Sequence, residues 1–453
     1  MWRSTFEDYG HRLEGARRPE ALRETRRVFC KISSQEERYA GLKDFAKPIR
    51  QSLLDIEDKK RSNLFAWRGQ FSPQLIECLL DAYCPPGSVV LDPFAGSGTV
   101  MLEAARMSLA ASAFEINPSA WSFSKLYEFA NLPCDTREIP IAGLRNRIQA
   151  EFPIVIFSHQ GLPTDEVERR LIRLHGSTGD KEDVLYNAWV VLLDLYRNHI
   201  SSDLVRSKFT HLCELVRRLP YSMGEIKADL QDARSLPLQN QSVDFVITSP
   251  PYINVFNYHQ NYRQSAELLG WDLLRVARSE IGSNRANRGN RFLTVIQYSI
   301  DMADALHELA RVLRPGGRAV FIVGYESRVL GAPFYNAEIV ERIARELQMF
   351  EIVLHQQRVF TNRFGRPIRE DILNLRREAH SNSDGLGTIV GRRIAEDALN
   401  SALTGVCEKN RPLLLDALSR VSQIDGTPIF NSASYAEYQS RDCVTMAKER
   451  MHL

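Results

Sequence analysis

Paired cysteines are missing from this sequence. Its seven cysteines, Cys30, Cys78, Cys84, Cys134, Cys213, Cys407 and Cys443, form no C-x-x-C pair and no cluster with histidine. An odd, scattered set argues against a disulfide framework and a structural zinc site, so no metal is expected, and it points to a reducing compartment. No apolar run approaches bilayer-spanning length, so no membrane partner is expected. The opening stretch MWRSTFEDYGHRLEGARRPE is charged throughout and lacks the apolar core of a signal peptide; a cytoplasmic location is expected. Repeats and low-complexity tracts are absent as well. So is a large excess of charge. The formal net charge is +2, so contact with a polyanion must come from local patches.

What is present reads as an α/β enzyme with additions. Hydrophobic residues make up 44% and charged residues 25%, an ordinary globular balance, but 453 residues are too many for one compact core. Residues 1–62 are rich in Arg, Lys and Glu. They predict a helical arm, either a solvated face or a surface along a phosphate backbone. Near residue 75 the texture changes. SPQLIECLLDAY carries a helical stripe at Leu75, Ile76, Leu79 and Leu80, and CPPG ends it. SVVLD is a short buried strand, PFAGSG a tight loop, TVMLEAARM a helix and ASAFE a second strand. This is the opening of a doubly wound parallel sheet.

Residues 119–225 read as helices, including DVLYNAWVVLLDLYRNHI and LVRSKFTHLCELVRRL. The segment is too long for an ordinary connection, so it predicts a helical insert and a candidate target-recognition region. The sheet then resumes. EIKADLQD is an edge-like strand and SVDFVIT a buried one. MADALHELARVLRPGGRAVFIVG is a helix, a Pro-Gly-Gly stop and a strand, AEIVERIARELQM is a helix, and FEIVLHQQRVFTNRFGRPIREDILNLRR is a closing antiparallel hairpin. Catalytic-domain segments are therefore expected at 63–118 and 226–378. A helical extension is expected at 379–453, opened by the linker-like HSNSDGLG.

The loop VVLDPFAGSGT places Gly96 and Gly98 at a strand-to-helix turn, where glycine lets the backbone approach a ligand. No Gly-Lys-Ser/Thr follows, so it is not a phosphate-binding P-loop. Asp92 at the strand end suits an ammonium group and would repel a pyrophosphate. Glu115 stands nineteen residues after Gly96, where an acid accepts from ribose hydroxyls. A cationic, amine-bearing nucleoside fits this pair, and S-adenosylmethionine is such a molecule. Asp232 in DLQDARSLP is a candidate acceptor for the adenine amino group.

DPFAGSGT followed downstream by TSPPY resembles the paired signatures of the DNA amino-methyltransferases, which methylate cytosine N4 or adenine N6. WRGQFSPQLIECLLDAYCPPGSVVLDPFAGSG also resembles that family's helix preceding the cofactor loop, which helps to hold the methionine end. The resemblance covers roughly residues 64–118 and 226–376. It implies a Rossmann-like S-adenosylmethionine-dependent fold, with Phe71, Ser72, Pro93, Phe94, Ser97 and Thr99 joining the glycines at the cofactor. It implies catalysis by Ser249, Pro250, Pro251 and Tyr252. It also implies double-stranded DNA as substrate, and a cognate restriction endonuclease or other defence component as partner.

The chemistry of ITSPPY supports those roles. The lone pair of an aromatic exocyclic amine is delocalised into its ring, so the amine is a poor nucleophile. Acceptors on its two hydrogens, Ser249 Oγ and the Pro250 carbonyl, pull the nitrogen toward tetrahedral geometry and stabilise its developing charge. The prolines stiffen the corner. Tyr252 offers a face for an extruded base. In the family a serine at the first position leans toward cytosine N4. Adenine N6, an RNA base and an inactive nucleic-acid-binding scaffold are the alternatives.

Beyond the corner, Tyr258 and Tyr262 interleave with Asn, His259 and Arg263, a mixture suited to a flipped base and its strand. Arg285, Arg288 and Arg291 lie in GSNRANRGNR without an acid, suited to phosphates or base edges, or to a plain solvated loop. RVFTNRFGRP adds a second basic turn. The insert carries Arg169, Arg170, Arg173, Arg206, Lys208, Arg217 and Arg218, as a reading surface or as a buttress.

Overall fold

The computed structural model describes residues 44–67, 69–153, 163–175, 180–195, 200–253, 258–283, 289–362, 365–378 and 386–432. Two helices, α1 (Gln51–Asp55) and α2 (Pro73–Tyr83), lead to strand β1 (Val89–Asp92). Helix α2 begins on a proline, where the missing N–H is harmless, and buries the stripe Leu75, Ile76, Leu79 and Leu80. Then come α3 (Thr99–Arg106), β2 (Ala110–Glu115) and five helices: α4 (Pro118–Lys125), α5 (Cys134–Glu151), α6 (Thr164–Leu174), α7 (Asp180–Leu193) and α8 (Ser202–Arg217). Strands β3 (Ile226–Leu230) and β4 (Val243–Thr248) follow, then α9 (Arg263–Leu268), α10 (Leu273–Val276) and α11 (Leu293–Val312). The remainder is β5 (Leu313–Gly324), β6 (Glu326–Val329), β7 (Ala332–Tyr335), α12 (Asn336–Glu346), β8 (Phe350–Thr361), β9 (Pro367–Arg377), α13 (Gly387–Ala402) and α14 (Arg411–Ser419).

Seven strands form one sheet in the order β3-β2-β1-β4-β5-β9-β8, and β6 and β7 form a separate hairpin. The first five are mutually parallel; β9 runs antiparallel to both β5 and β8. This is the expected Rossmann-like α/β architecture, with EIKADL at the edge and the closing hairpin last. The strand order reverses between β1 and β4, and the crevice at their carboxyl ends is where such sheets bind ligands. Alternation along the strands fills two cores. Val90, Phe245 and Val320 face one; Leu91, Val246 and Phe321 face the other.

Two local features differ from the sequence pattern. Strand β5 begins before Pro-Gly-Gly rather than after it. Leu313 pairs with Val243 and Arg318 with Phe245, so four residues bulge out between them, with Gly316 at φ 73°. The short hairpin β6–β7 has no signal in the apolar pattern.

The helices between β2 and β3 share the apolar core that covers β1. Phe129, Ile141, Trp189 and Phe209 belong to the same cluster as Ile76 and Val90. Arg137 is fully buried and donates to the carbonyls of Leu132, Val216, Leu219 and Pro220, which caps the end of α8. On the opposite face α13 packs on α11. A Cβ on Gly391 would stand 2.6 Å from the Ile300 Cα, so the helices approach closely only at glycine. Among the described residues no helix is long and apolar enough to cross a membrane.

Candidate active site

A cavity of about 430 Å³ opens at the carboxyl ends of β1, β2, β3 and β4. The glycine loop forms one wall. Gly96 and Gly98 have φ of 52° and 86°, a region that side chains disfavour. Pro93, Phe94, Gly96, Ser97 and Thr99 line the cavity, while Gly98 turns away and packs on Tyr127, where a Cβ would meet the ring at 2.6 Å. The segment before α2 folds over this loop. Ser97 donates to Gln70 Oε1 (2.9 Å), Thr99 to Asn63 Oδ1 (3.0 Å), and Trp67 lies against Gly96. Phe71 lines the cavity; Ser72, at the N-cap position of α2, lies outside it, and its hydroxyl makes no capping bond.

The three strand-end acids behave differently. Glu115 lines the cavity. Its Oε2 accepts from Gly96 N (2.8 Å) and its Oε1 from Asn117 N (2.8 Å). The Ile116 backbone is a third donor to this carboxylate, which leaves one acceptor position for a ligand hydroxyl. Burial pushes its carboxyl up to about 7, against the pull of those backbone donors. Asp92 does not line the cavity, which corrects its expected role toward an ammonium group. Its Oδ1 takes Thr248 Oγ1 (2.6 Å) and Phe94 N (3.1 Å), joining the ends of β1 and β4, and burial raises it to about 7.

Asp232 lines the cavity, but it is already filled. Its Oδ1 accepts from Arg234 N and Nε (3.0 and 2.9 Å), and its Oδ2 from Arg234 Nη2 and Phe430 N (2.6 and 2.9 Å). Two donors per oxygen exhaust a carboxylate. The expected bond from Asp232 to an adenine amino group is therefore corrected: the acceptor positions are taken by the protein.

Ser249, Pro251 and Tyr252 form the opposite wall; Pro250 is buried behind them. Ser249 Oγ lies 3.2 Å from Tyr252 Oη. Burial holds the Tyr252 phenol well above its usual range, so it stays neutral and able to donate. The ring packs over Gly324 at the end of β5, where a Cβ would come within 2.8 Å of it. Both signatures thus face one cavity.

The residues expected at the nucleic acid divide. Tyr258 and Arg291 line the cavity. Tyr262 does not. Its ring stacks on Trp67 (6.2 Å, 12°), its hydroxyl donates to Ala66 O, and it braces the segment over the glycine loop, a correction to its expected role. Arg263 is paired with Glu267 one turn along α9 and lies away from the cavity, a second correction. Arg285 and Arg288 lie outside the described residues. In the insert, Arg169, Arg170 and Arg206 pair within their own helices with Asp165, Glu166 and Asp203, while Arg173 and Arg217 pair across to Glu151 and Glu138 of α5.

The sequence pattern missed several lining residues. Trp67, Gly69 and Gln70 precede the residues singled out in WRGQFS. Asn117 caps α4 through Oδ1, while its buried Nδ2 has no partner. The segment Ser279–Glu280–Ile281–Gly282–Ser283 lines the cavity with no periodicity to announce it. Its only signal is an acid set among small residues. Among the described residues no group of His, Cys, Asp and Glu could hold a metal ion.

The cavity suits S-adenosylmethionine. An unpartnered amide donor at Asn117, a carboxylate with an open acceptor position at Glu115 and glycine backbone at the turn match a nucleoside.

Comparison with known proteins agrees with this arrangement in part. The family model for N6/N4 methyltransferases, described as DNA methylase, matches residues 20–125, under a quarter of the chain. The type II methyltransferase M.MjaII of Methanocaldococcus jannaschii is 30% identical over 67 residues, 14% of this chain. That match spans 13% of the relative, about an eighth of its length. Among solved structures, a SAM-dependent methyltransferase of Methanosarcina mazei aligns over 67% of this chain and 98% of its own, with 11% identity and a TM-score of 0.33. The geranyl diphosphate C-methyltransferase of Streptomyces coelicolor, solved with S-adenosyl-L-homocysteine, aligns over 68% and 78%, with 10% identity and a TM-score of 0.29.

Proposed function

We propose that this protein is an S-adenosylmethionine-dependent DNA methyltransferase acting on the exocyclic amino group of a flipped base, cytosine N4. The observation that carries this reading is the shared cavity: the glycine loop with Glu115 on one wall, Ser249 and Tyr252 on the other. The cofactor supplies an electrophilic methyl group. Gly96, Glu115 and Asn117 hold its nucleoside. Ser249 Oγ accepts one amino hydrogen of the base; the Pro250 carbonyl, the acceptor expected for the other, belongs to a buried residue outside the cavity lining. With Tyr252 Oη as the donor across its 3.2 Å contact to Ser249 Oγ, the remaining serine lone pair would be aimed at the amine. Serine, rather than an acid, at position 249 favours cytosine.

The surface beside the corner suits a polyanion. Gly324 pairs with Glu370, and the β8–β9 hairpin continues three further residue pairs to Thr361 and Pro367, about 10 Å past the end of β5. Arg369 lies over the Tyr325 ring at 3.9 Å on this projection, and Arg366 is exposed near its tip. A cognate nuclease or other defence component is the partner this activity would serve.

The test is transfer from tritiated S-adenosylmethionine to unmethylated plasmid DNA and to total RNA, with the product digested to nucleosides and identified by mass spectrometry. N4-methylcytosine in DNA is expected. N6-methyladenine would keep the mechanism and overturn the choice of base. Label only in RNA would overturn the substrate. No label with cofactor bound would leave a non-catalytic scaffold.

A further inference from the structure

With Asp232 saturated, the cavity has no open acceptor at the end of β3, yet its neighbourhood is built for a nucleoside. Glu280 supplies what is missing. Its carboxylate lines the same cavity and is only 15% exposed. His259 fixes it from one side: the backbone N–H donates to Oε1 (3.1 Å), and the ring Nδ1 lies 3.4 Å from Oε2. Among the described residues these are its partners, one per oxygen, against two per oxygen for Asp232. Its place beside the Asp232 corner is set by the next residue back. Arg234 Nη2 donates both to Asp232 Oδ2 and to Ser279 O, so the Glu280 backbone starts within one guanidinium of Asp232. Gly282, two residues on, donates to Asp301 Oδ2, which also holds Arg234 through Oδ1. The 279–283 segment is thereby fastened at both sides of Glu280. A second, independent feature of the same cavity points to a ligand: Asn117 lines it, is only 2% exposed, and presents Nδ2 without a partner among the described residues. A fixed acceptor and an unpartnered amide donor are complementary to an adenine edge, which offers an amino donor beside a ring-nitrogen acceptor.

We propose that Glu280, not Asp232, accepts the adenine amino group of the cofactor and so selects an adenosyl over a deaminated nucleoside. This rests on the cofactor reading above. The experiment is a binding cycle by titration calorimetry with two ligands, S-adenosylhomocysteine and its analogue carrying hydrogen in place of the 6-amino group. The parent protein should prefer the amino ligand by roughly tenfold or more, the size of a charge-assisted hydrogen bond. Glu280→Ala should bind both alike, and Glu280→Gln, which keeps an acceptor oxygen, should recover part of the preference. Thermal melts of both variants report folding separately. An equal loss for both ligands in Glu280→Ala would give Glu280 a merely structural role and overturn the proposal. So would an undiminished preference. Failure of the parent to bind S-adenosylhomocysteine at all would instead overturn the cofactor reading.

Discussion

Glu115 and Asp232 close neighbouring strands of one sheet; Glu115 pairs with Leu230, two residues before Asp232. Both are acids, and both line the same cavity. Yet one faces a ligand and the other faces the protein. Glu115 is held by three backbone donors, from Gly96, Ile116 and Asn117, and keeps one acceptor position open. Asp232 is consumed by Arg234, and through it by remote chain: Arg234 also reaches Asp301, Thr427 O, Thr427 Oγ1 and Pro428 O. The C-terminal stretch after α14 is thus bound to the cavity wall through one guanidinium. The lesson is that a strand-end carboxylate is a ligand site only if its own fold leaves it hungry.

The strongest way to break this contrast is Arg234→Met. It leaves Asp232 and Asp301 buried without their cation, and it frees the Thr427–Phe430 stretch. Removing one partner of a buried pair costs about 3–5 kcal/mol. Denaturant unfolding should show a loss of that order. A midpoint unchanged from the parent would mean that Asp232 is not structurally committed and that its place in the cavity is available to a ligand.

This contrast also marks where the sequence stops being legible. The glycine loop, Glu115 and the Ser249–Tyr252 corner could be read because local chain chemistry defines them: positive-φ glycines between a strand and a helix, rigid prolines at a strand end. The sheet could be read because β1, β4 and the later half of β5 are short, strongly apolar runs bounded by turn residues. Asp232 was misread because the Arg234 guanidinium that fills it is held in place by Asp301, Thr427 and Pro428, and the fourth donor to Asp232 is Phe430 N, contacts that no spacing rule encodes. Tyr262 was misread for a similar reason. An aromatic ring in a polar run looks like a stacking platform, and only packing against Trp67 shows it to be a brace. The insert's arginines could be read as a reading surface or as a buttress, and in the fold five of them pair with acids of the insert. Glu280 was missed because a single acid on an aperiodic segment carries no signal until the fold places it.

The contrast sharpens with pH. Glu115 holds its proton up to about 7 because burial disfavours the carboxylate. Below that pH a protonated carboxyl presents fewer acceptor sites to ribose hydroxyls, and above it the remaining position is open. Affinity for S-adenosylhomocysteine should therefore rise between pH 6 and pH 8, by about tenfold if only the ionised form binds. Glu115→Gln should flatten that rise. Calorimetric titration across the range checks it, and a flat profile in the parent would detach Glu115 from the ligand.

Asp92 gives the smallest expected effect and the finest test. Its Oδ1 alone takes both Thr248 and Phe94, and an asparagine carbonyl can do the same. Asp92→Asn should bind S-adenosylhomocysteine within about twofold of the parent, because the carboxylate joins β1 to β4 rather than facing the cavity. Its stability should respond to pH in a defined direction. An unfolded aspartate ionises near 3.8, whereas the folded one keeps its proton to about 7. Between those values the unfolded chain binds fewer protons than the native state, so native stability falls as pH rises and levels off above 7. Asparagine removes that slope. At pH 8 the variant should be at least as stable as the parent, and at pH 4 the two should converge. A large loss of ligand affinity in Asp92→Asn, with stability intact, would restore Asp92 to the ligand and leave Asp232 as the one strand-end acid that the fold keeps for itself.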